Sequence, residues 1–352
     1  MTGLDSSGAD TASGSRAQTA LKLLNVAPGV RDDAVAIVNG LFGDDLEDRN
    51  SSLATAMTIR AGDTVLPLDR DTLPIELADL PRVSQRICVL VHGLMSTESI
   101  WQFPNDAATN YGTLLAQDHD MTVLSLRYNT GRHISVNGRE LAHVLNALMR
   151  AWPVKVREIN LIGHSMGGLV VRSACHYGRA IWPLGRRLPV GRRWTSKLRR
   201  VVLIGVPNDG AGLEAFVNTA SAALWAFPLP PTQLLGLGLD RRSAGIKDLR
   251  FGAIHDEDWA EQDPDTRHRI HPHRAHKLRR TDHLLISGTV TGDPDHPVAR
   301  RLGDALVSSS SAAGHVQEGE LFPGSAIRVF PKLTHNVLAH HPDVYDAIAD
   351  WW

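Results

Sequence analysis

The chain has only two cysteines in 352 residues, and no uninterrupted apolar run reaches the ~20 residues that a membrane-spanning helix needs. The cysteine count argues against a disulfide framework. Cys88 lies in an apolar strand pattern and Cys175 in a helical one, so both read as packed thiols, which suits a reducing compartment. Charge of one sign is also lacking: the formal net charge is −1, so no global field recruits nucleic acid or membrane. No Walker loop, C-x-x-C pair, HExxH helix or internal repeat occurs, and neither a cofactor nor a metal is expected. Met1 to Ala20 is rich in Ser, Thr, Gly, Ala and Asp, with no basic n-region and no apolar h-region. It reads as a disordered start and not a secretory signal, and a cytoplasmic protein is expected.

What is present centres on Ile159-Asn160-Leu161-Ile162-Gly163-His164-Ser165-Met166-Gly167-Gly168-Leu169-Val170-Val171. One apolar run leads into a Gly-x-Ser-x-Gly turn and another leads out. That pattern is strand, sharp turn, helix, with Ser165 lifted at the turn. Five small residues alone would be a weak signal; the flanking apolar runs make Ser165 a candidate nucleophile.

The rest of the chain alternates. Arg86–Gly93 is a near-continuous apolar strand, the pattern of a strand buried on both faces of a parallel sheet. Helical spacing follows over Tyr111–Gln117, a strand over Met121–Tyr128, and a helix over Ser135–Trp152 that Pro153 stops. Further strands read at Arg200–Val206, His283–Thr289 and Ala326–Phe330, with a closing helix over Pro342–Trp352. Strands separated by helices imply βαβ units. Ahead of these, residues 21–85 read as a helical extension packed on the main domain, 86–352. Val30, Ala34, Ile37, Val38 and Leu41 share one face there, Asn39-Gly40 and Gly43 break the helix, and a second helical piece covers Ser52–Arg60. A short strand is read at Thr64–Leu68. Two segments interrupt the rhythm: a basic stretch, Ala180–Arg199, and a long insertion at about 208–261.

A serine hydroxyl needs a base within reach, normally a histidine held in one tautomer by a carboxylate. In this arrangement acid and base follow the serine in the chain. His335 stands between the last strand and the last helix and is the candidate base. His340 and His341 abut the closing helix and read as exposed polar residues. His268, His271, His273 and His276 fall in a polar loop and read as solvated, not as metal ligands. Three acids remain open: Asp293 and Asp295, which also suit a turn, and Asp304, which also suits a helix cap. An oxyanion hole needs two backbone N–H groups. Met166, after the serine, supplies one, and Leu94, in the turn after Val91-His92-Gly93, is the candidate for the other. His92 then reads as a buttress of that turn.

These motifs resemble the α/β-hydrolase superfamily, in particular lipases and esterases akin to the GPI-inositol-deacylase-like branch. The resemblance rests on Val91-His92-Gly93-Leu94 with Trp101, Gly163-His164-Ser165-Met166-Gly167-Gly168, Gly205-Val206-Pro207-Asn208, Gly303-Asp304-Ala305-Leu306-Val307 and Leu333-Thr334-His335. It covers roughly residues 86 to 352. It implies an α/β-hydrolase fold: a mostly parallel central sheet with helices on both faces and a helical lid or cap insertion. It favours Asp304 over Asp293 as the acid, and it implies acyl-ester hydrolysis through an acyl-enzyme on Ser165. The chain departs from the branch at Asn208, where relatives often carry His, and at Ala305, where Gly is frequent.

The insertion carries Trp225, Phe227, Leu229, Leu234 and Leu235, expected to line or shield an acyl pocket on an apolar or lipid-like ester. Arg186, Arg187, Arg192 and Arg193, around Trp182 and Trp194, are candidates for weak peripheral contact with an anionic membrane. No nucleic-acid partner is expected. Two other functions share the motifs: an acyltransferase using the same three residues, and a catalytically inactive scaffold that binds a ligand. The second would lack a nucleophile or a base, and here candidates for both are present.

Overall fold

A computed structural model of the chain describes residues 28–78, 83–179, 193–210, 243–260, 277–278, 280–293, 296, 303–316 and 319–352. Eight strands make one sheet: β1 (Thr58–Ala61), β2 (Thr64–Val65), β3 (Arg86–Val91), β4 (Thr122–Arg127), β5 (Glu158–His164), β6 (Leu198–Ile204), β7 (Asp282–Thr289) and β8 (Ala326–Pro331). Their spatial order is β8-β7-β6-β5-β3-β4-β1-β2. The six strands from β8 to β4 pair in parallel, and β1 and β2 add an antiparallel edge. This is an α/β-hydrolase fold, with a mostly parallel sheet and helices on both faces.

The unbroken apolar runs follow from burial on both faces. Ile87, Val89 and Val91 of β3 enter one core layer, and Cys88 and Leu90 enter the other. Leu285 and its neighbours Leu284 and Ile286 divide in the same way on β7. Each such side chain, fully buried, contributes roughly 1.5–3 kcal/mol. The first layer packs under α1 (Pro28–Asp48), α3 (Ile134–Ala151) and α4 (Met166–Gly178). The second packs under α2 (Tyr111–His119) and α6 (Pro342–Trp351), and α5 (Ala244–Phe251) lies beside α1 and α3.

The segment before Arg86 agrees with its sequence reading in one respect and differs in two. The expected break in α1 falls at Phe42 (φ −136°), between Gly40 and Gly43, where two helices join across a kink, while Asn39, Gly40 and Gly43 themselves keep helical backbone. The glycines are there for close approach: a Cβ at Gly40 would stand 2.3 Å from Met95 Cγ, and one at Gly43 1.8 Å from Asn129 Oδ1. Ser52–Arg60 holds no helix. Its end is β1, where Ile59 pairs with Leu126 of β4 and is buried. The expected strand at Thr64–Leu68 is confined to β2 and turns antiparallel onto β1. This segment thus extends the main sheet as well as covering it.

Candidate active site

The elbow sits where β5 ends and α4 begins. Ser165 takes φ +55° and ψ −127°, a backbone that residues other than glycine rarely adopt. Two contacts explain the glycines around it: a Cβ at Gly163 would lie 2.6 Å from Gly168 Cα, and one at Gly167 2.3 Å from Val91 O. The Ser165 N–H donates to Ile204 O (2.9 Å), which fixes the turn against the neighbouring strand.

Strands β7 and β8 are adjacent and parallel, so the loops after them leave the sheet side by side. One carries Asp304 and the other His335. His335 Nδ1–H donates to Asp304 Oδ2 (2.8 Å), and the His335 backbone N–H donates to Asp304 O (3.1 Å). Asp304 Oδ1 accepts from the N–H groups of Leu306 (3.0 Å) and Val307 (2.9 Å). Asp304 is therefore a carboxylate with three donors, buried with only 1% exposed, and it orients an imidazole that is 4% exposed. Asp293 is exposed in the turn after β7, where its carbonyl accepts from Thr291 Oγ1, and it is not paired with His335. Asp295 lies outside the described residues.

Ser165, His335, Asn336, Gly93, Leu94 and Met95 line a single small cavity of about 80 Å³. Leu94 is thus beside the serine. The N–H of its neighbour Met95 is already given to Thr130 Oγ1 (3.2 Å). His92, fully buried, stacks on Tyr128 with ring centroids 4.6 Å apart, and its Nδ1–H donates to Gly93 O (2.9 Å). Burial pulls its pKa from 6.5 to about 4, so it buttresses the loop as a neutral ring. Tyr128 Oη–H donates to His92 O (2.9 Å) and holds the same turn from behind. A larger cavity, about 520 Å³, lies by the sheet edge, lined by Leu90, Trp101, Asn110, Met121, Val123 and Ser125 among others. None of Ser165, Asp304 or His335 borders it.

Several positioning residues escape a reading of the sequence. His164 is one: Nε2–H donates to His335 O (3.0 Å), and the two rings are 4.8 Å apart. Its only sequence signal is its place inside the Gly-x-Ser-x-Gly turn. Arg172 of α4 is another. It is buried, its Nη1 donates to Asn208 Oδ1 (3.1 Å), and Asn208 Nδ2 donates to Ser311 O (3.0 Å). Burial lowers the Arg172 pKa to about 10. The chain Arg172–Asn208–Ser311 ties the helix after Ser165 to the segment after Asp304. Asn208 therefore has a definite partner on each side.

His340 and His341 serve the fold. His340 Nδ1–H donates to Ile100 O (3.0 Å), and His341 caps α6 by accepting from Asp343 N (3.2 Å). Neither is simply a solvated side chain: His340 is half-buried, and both are bonded. In the basic stretch, Arg186, Arg187, Arg192 and Trp182 lie outside the described residues. Arg193 donates to Arg179 O, and Trp194 is fully buried in the first core layer, so Trp194 presents no face to a membrane. Trp225, Phe227, Leu229, Leu234, Leu235, His268, His271, His273 and His276 also lie outside the described residues. Among the described residues no group of three or more His, Cys, Asp or Glu side chains could hold a metal ion, and no helix is long and apolar enough to cross a membrane.

Residues 88–349 match the model of a family described as the Alpha/beta hydrolase family. Among solved structures, the chain is similar to the Bacillus licheniformis lipase BlEst2 in mature form. The identity is 15%, the match covers 78% of this chain and 94% of that one, and the TM-score is 0.47. It is also similar to the esterase RhEst1 from Rhodococcus sp. ECU1013 (17% identity, 76% and 91% covered, TM-score 0.40). A third is the carboxylesterase CesB from Bacillus subtilis (11% identity, 75% and 82% covered, TM-score 0.39). No curated protein matches the chain.

Proposed function

Because the chain belongs to the alpha/beta hydrolase family, we propose that it is a serine carboxylester hydrolase that works through an acyl-enzyme on Ser165. The observation that carries this reading is the buried 2.8 Å bond from His335 to Asp304, made beside a serine held at φ +55°. With Nδ1–H committed to Asp304, His335 keeps the lone pair of Nε2 as its proton acceptor. Ser165 Oγ attacks the ester carbonyl carbon as His335 takes the hydroxyl proton. The carbonyl oxygen becomes an oxyanion, received by the N–H groups of Met166 and Leu94. The C–O bond to the alcohol then breaks, and His335 returns the proton to the departing oxygen. Water repeats the sequence on the acyl-serine, releasing the acid and restoring Ser165.

The substrate class proposed is an apolar acyl or lipid-like ester. Support comes from the apolar side chains of the insertion at about 208–261, read as a cap, and from the motif likeness to the lipase-type, GPI-inositol-deacylase-like branch. The test is hydrolysis of p-nitrophenyl esters from acetate to palmitate by wild type and Ser165→Ala, with products analysed in the presence of an added alcohol. Expected is ester turnover that falls by about 10⁶-fold in Ser165→Ala. Turnover that survives the substitution sinks the mechanism. Exclusive use of acetate and butyrate removes the lipid-like substrate, and a dominant transferred ester in place of free acid makes the protein an acyltransferase.

A further inference from the structure

Helix α1 contributes none of the groups assigned above, yet its backbone touches the turn that carries Leu94. The meeting point is Gly40. A Cβ at that position would lie 2.3 Å from Met95 Cγ, 3.3 Å from Thr130 Oγ1 and 3.4 Å from Met95 Cα. Met95 follows Leu94 and takes φ +57°. A residue with a side chain keeps that conformation only where its surroundings over-determine it. Here the surroundings are Thr130 Oγ1, which accepts from the Met95 N–H, and the bare backbone of α1. Nearer the start of the helix, Asp33 Oδ1 accepts from Thr97 Oγ1 (3.0 Å) and Ser99 Oγ (3.4 Å), at the far end of the same loop.

The helix also seats the support behind that loop. Asn129 Nδ2 donates to Gly43 O (2.8 Å), and a Cβ on Gly131 would lie 2.2 Å from Asn39 O. Between these two residues stands Thr130, and just before them Tyr128, the two side chains that hold the backbone of Met95 and His92. The start of α5 is tied to the same helix: Ser243 Oγ–H donates to Gly40 O (2.7 Å), and the Ala244 N–H donates to Asp44 Oδ2 (2.8 Å).

We infer that α1 is a positioning element of the active site: Gly40 and Asp33 fix the Leu94–Met95 turn so that the Leu94 N–H meets the oxyanion formed at Ser165. The inference rests on the ester-hydrolase reading. Oxyanion donors act over a narrow range of distance, and a small displacement of one is felt in the chemical step more than in ground-state binding. The two glycines that the sequence presents as helix breakers are what let the helix come close enough to do this.

The experiment combines p-nitrophenyl butyrate kinetics with ¹³C-methyl methionine spectra, where the chain's six methionines keep the Met95 signal resolvable. Variants are Gly40→Ala, Met95→Ala, the double substitution, Asp33→Ala, and Asp48→Ala, an exposed change at the end of the helix, as control. Expected for Gly40→Ala is a shifted Met95 methyl signal and a kcat lowered about 10-fold or more, with KM nearly unchanged. The double variant, which makes room for the new methyl, returns to the kcat of Met95→Ala. Asp33→Ala adds no bulk, removes the acceptor of two hydrogen bonds, and lowers kcat about 3-fold or more. It also decides the matter should Gly40→Ala fail to fold. Wild-type kcat in Gly40→Ala and Asp33→Ala, or a loss that the double variant leaves in place, overturns the inference. A wild-type chain with no ester turnover fails differently: it removes the hydrolase reading underneath.

Discussion

The Nε2–H of His164 donates to the backbone carbonyl of His335 over 3.0 Å, so the residue before the candidate nucleophile holds the candidate base. A carbonyl oxygen can only accept, which fixes the tautomer of His164: the proton is on Nε2, and Nδ1 has no hydrogen-bond partner among the described residues. Burial drives the His164 pKa well below 6.5, and the neighbouring His335 ring pushes it the same way. His164 is thus a neutral spacer, edge-on to the Trp101 ring at 6.3 Å, and adds no positive charge beside the imidazolium that would form on His335.

His164→Phe keeps a ring but removes the donor and leaves His335 O without it. Ester turnover is expected to fall about 5- to 10-fold in kcat, the cost of one hydrogen bond and a loosened base. His164→Gln, which can place an amide N–H near the former Nε2, should recover part of the loss. Equal kcat in wild type and His164→Phe would show that the bond positions nothing.

Asp304→Asn separates charge from shape. The asparagine oxygen can still accept from Leu306 and Val307, so the loop keeps its form and the melting temperature should move little. The bond to His335 Nδ1 loses its carboxylate, and kcat is expected to fall about 10³- to 10⁴-fold. Asp293→Asn alters an exposed turn and should leave kcat within about 2-fold, as surface changes do. The opposite ranking would move the acid to Asp293.

The sheet was legible because strands buried on both faces must be apolar throughout, as Ile87–Val91 and Leu284–Ile286 are. The elbow was legible because glycines on both sides of a serine have a steric reason that spacing alone can suggest. Long-range pairing was not. Nothing near position 164 announces a partner 171 residues away, and nothing near Arg172 points to Asn208. The choice between Asp293 and Asp304 was open on residue chemistry alone, since both sit in turn-forming sequence. Both lie on the connection between β7 and β8, and what distinguishes them is that its later part brings Asp304 back onto His335. Gly40 and Gly43 do flank the kink at Phe42, but their close approach to Met95 and Asn129 is a second role, which shows only once the loops are in place.

Ala305 offers a test of strain next to the acid. Its φ is +82°, in the left-handed range, and its side chain is exposed. An L-residue there costs roughly 1–2 kcal/mol, and Ala→Gly gives back roughly 0.4–1 kcal/mol of that through the freer unfolded chain. Ala305→Gly should therefore stabilise the fold by somewhat under about 1 kcal/mol, read as a higher denaturant midpoint at unchanged slope. The Asp304–His335 geometry does not involve the methyl, so kcat should stay level. A lower midpoint would mean that the backbone here is not strained.

His92 and His283 make the stability of this fold sensitive to mild acid. Both are buried, and burial lowers each pKa from 6.5 to about 4. In the unfolded chain both imidazoles titrate at their ordinary value. Between pH 6.5 and about 4 the unfolded chain therefore binds more protons than the folded one. Stability is whole above that window and falls as pH drops through it, by about 1.4 kcal/mol per pH unit for each histidine. His283 lies on β7 with its ring stacked on Phe322 at 5.2 Å, away from the candidate site, so it can be changed on its own. His283→Phe keeps a stacked ring and removes the titration. Urea unfolding of wild type and variant across the window should show a shallower pH slope for His283→Phe, by about 1.4 kcal/mol per pH unit. Comparing the two chains cancels the carboxylates, which titrate in both. Parallel slopes would mean that the His283 ring takes up a proton in the folded state as easily as in the unfolded chain.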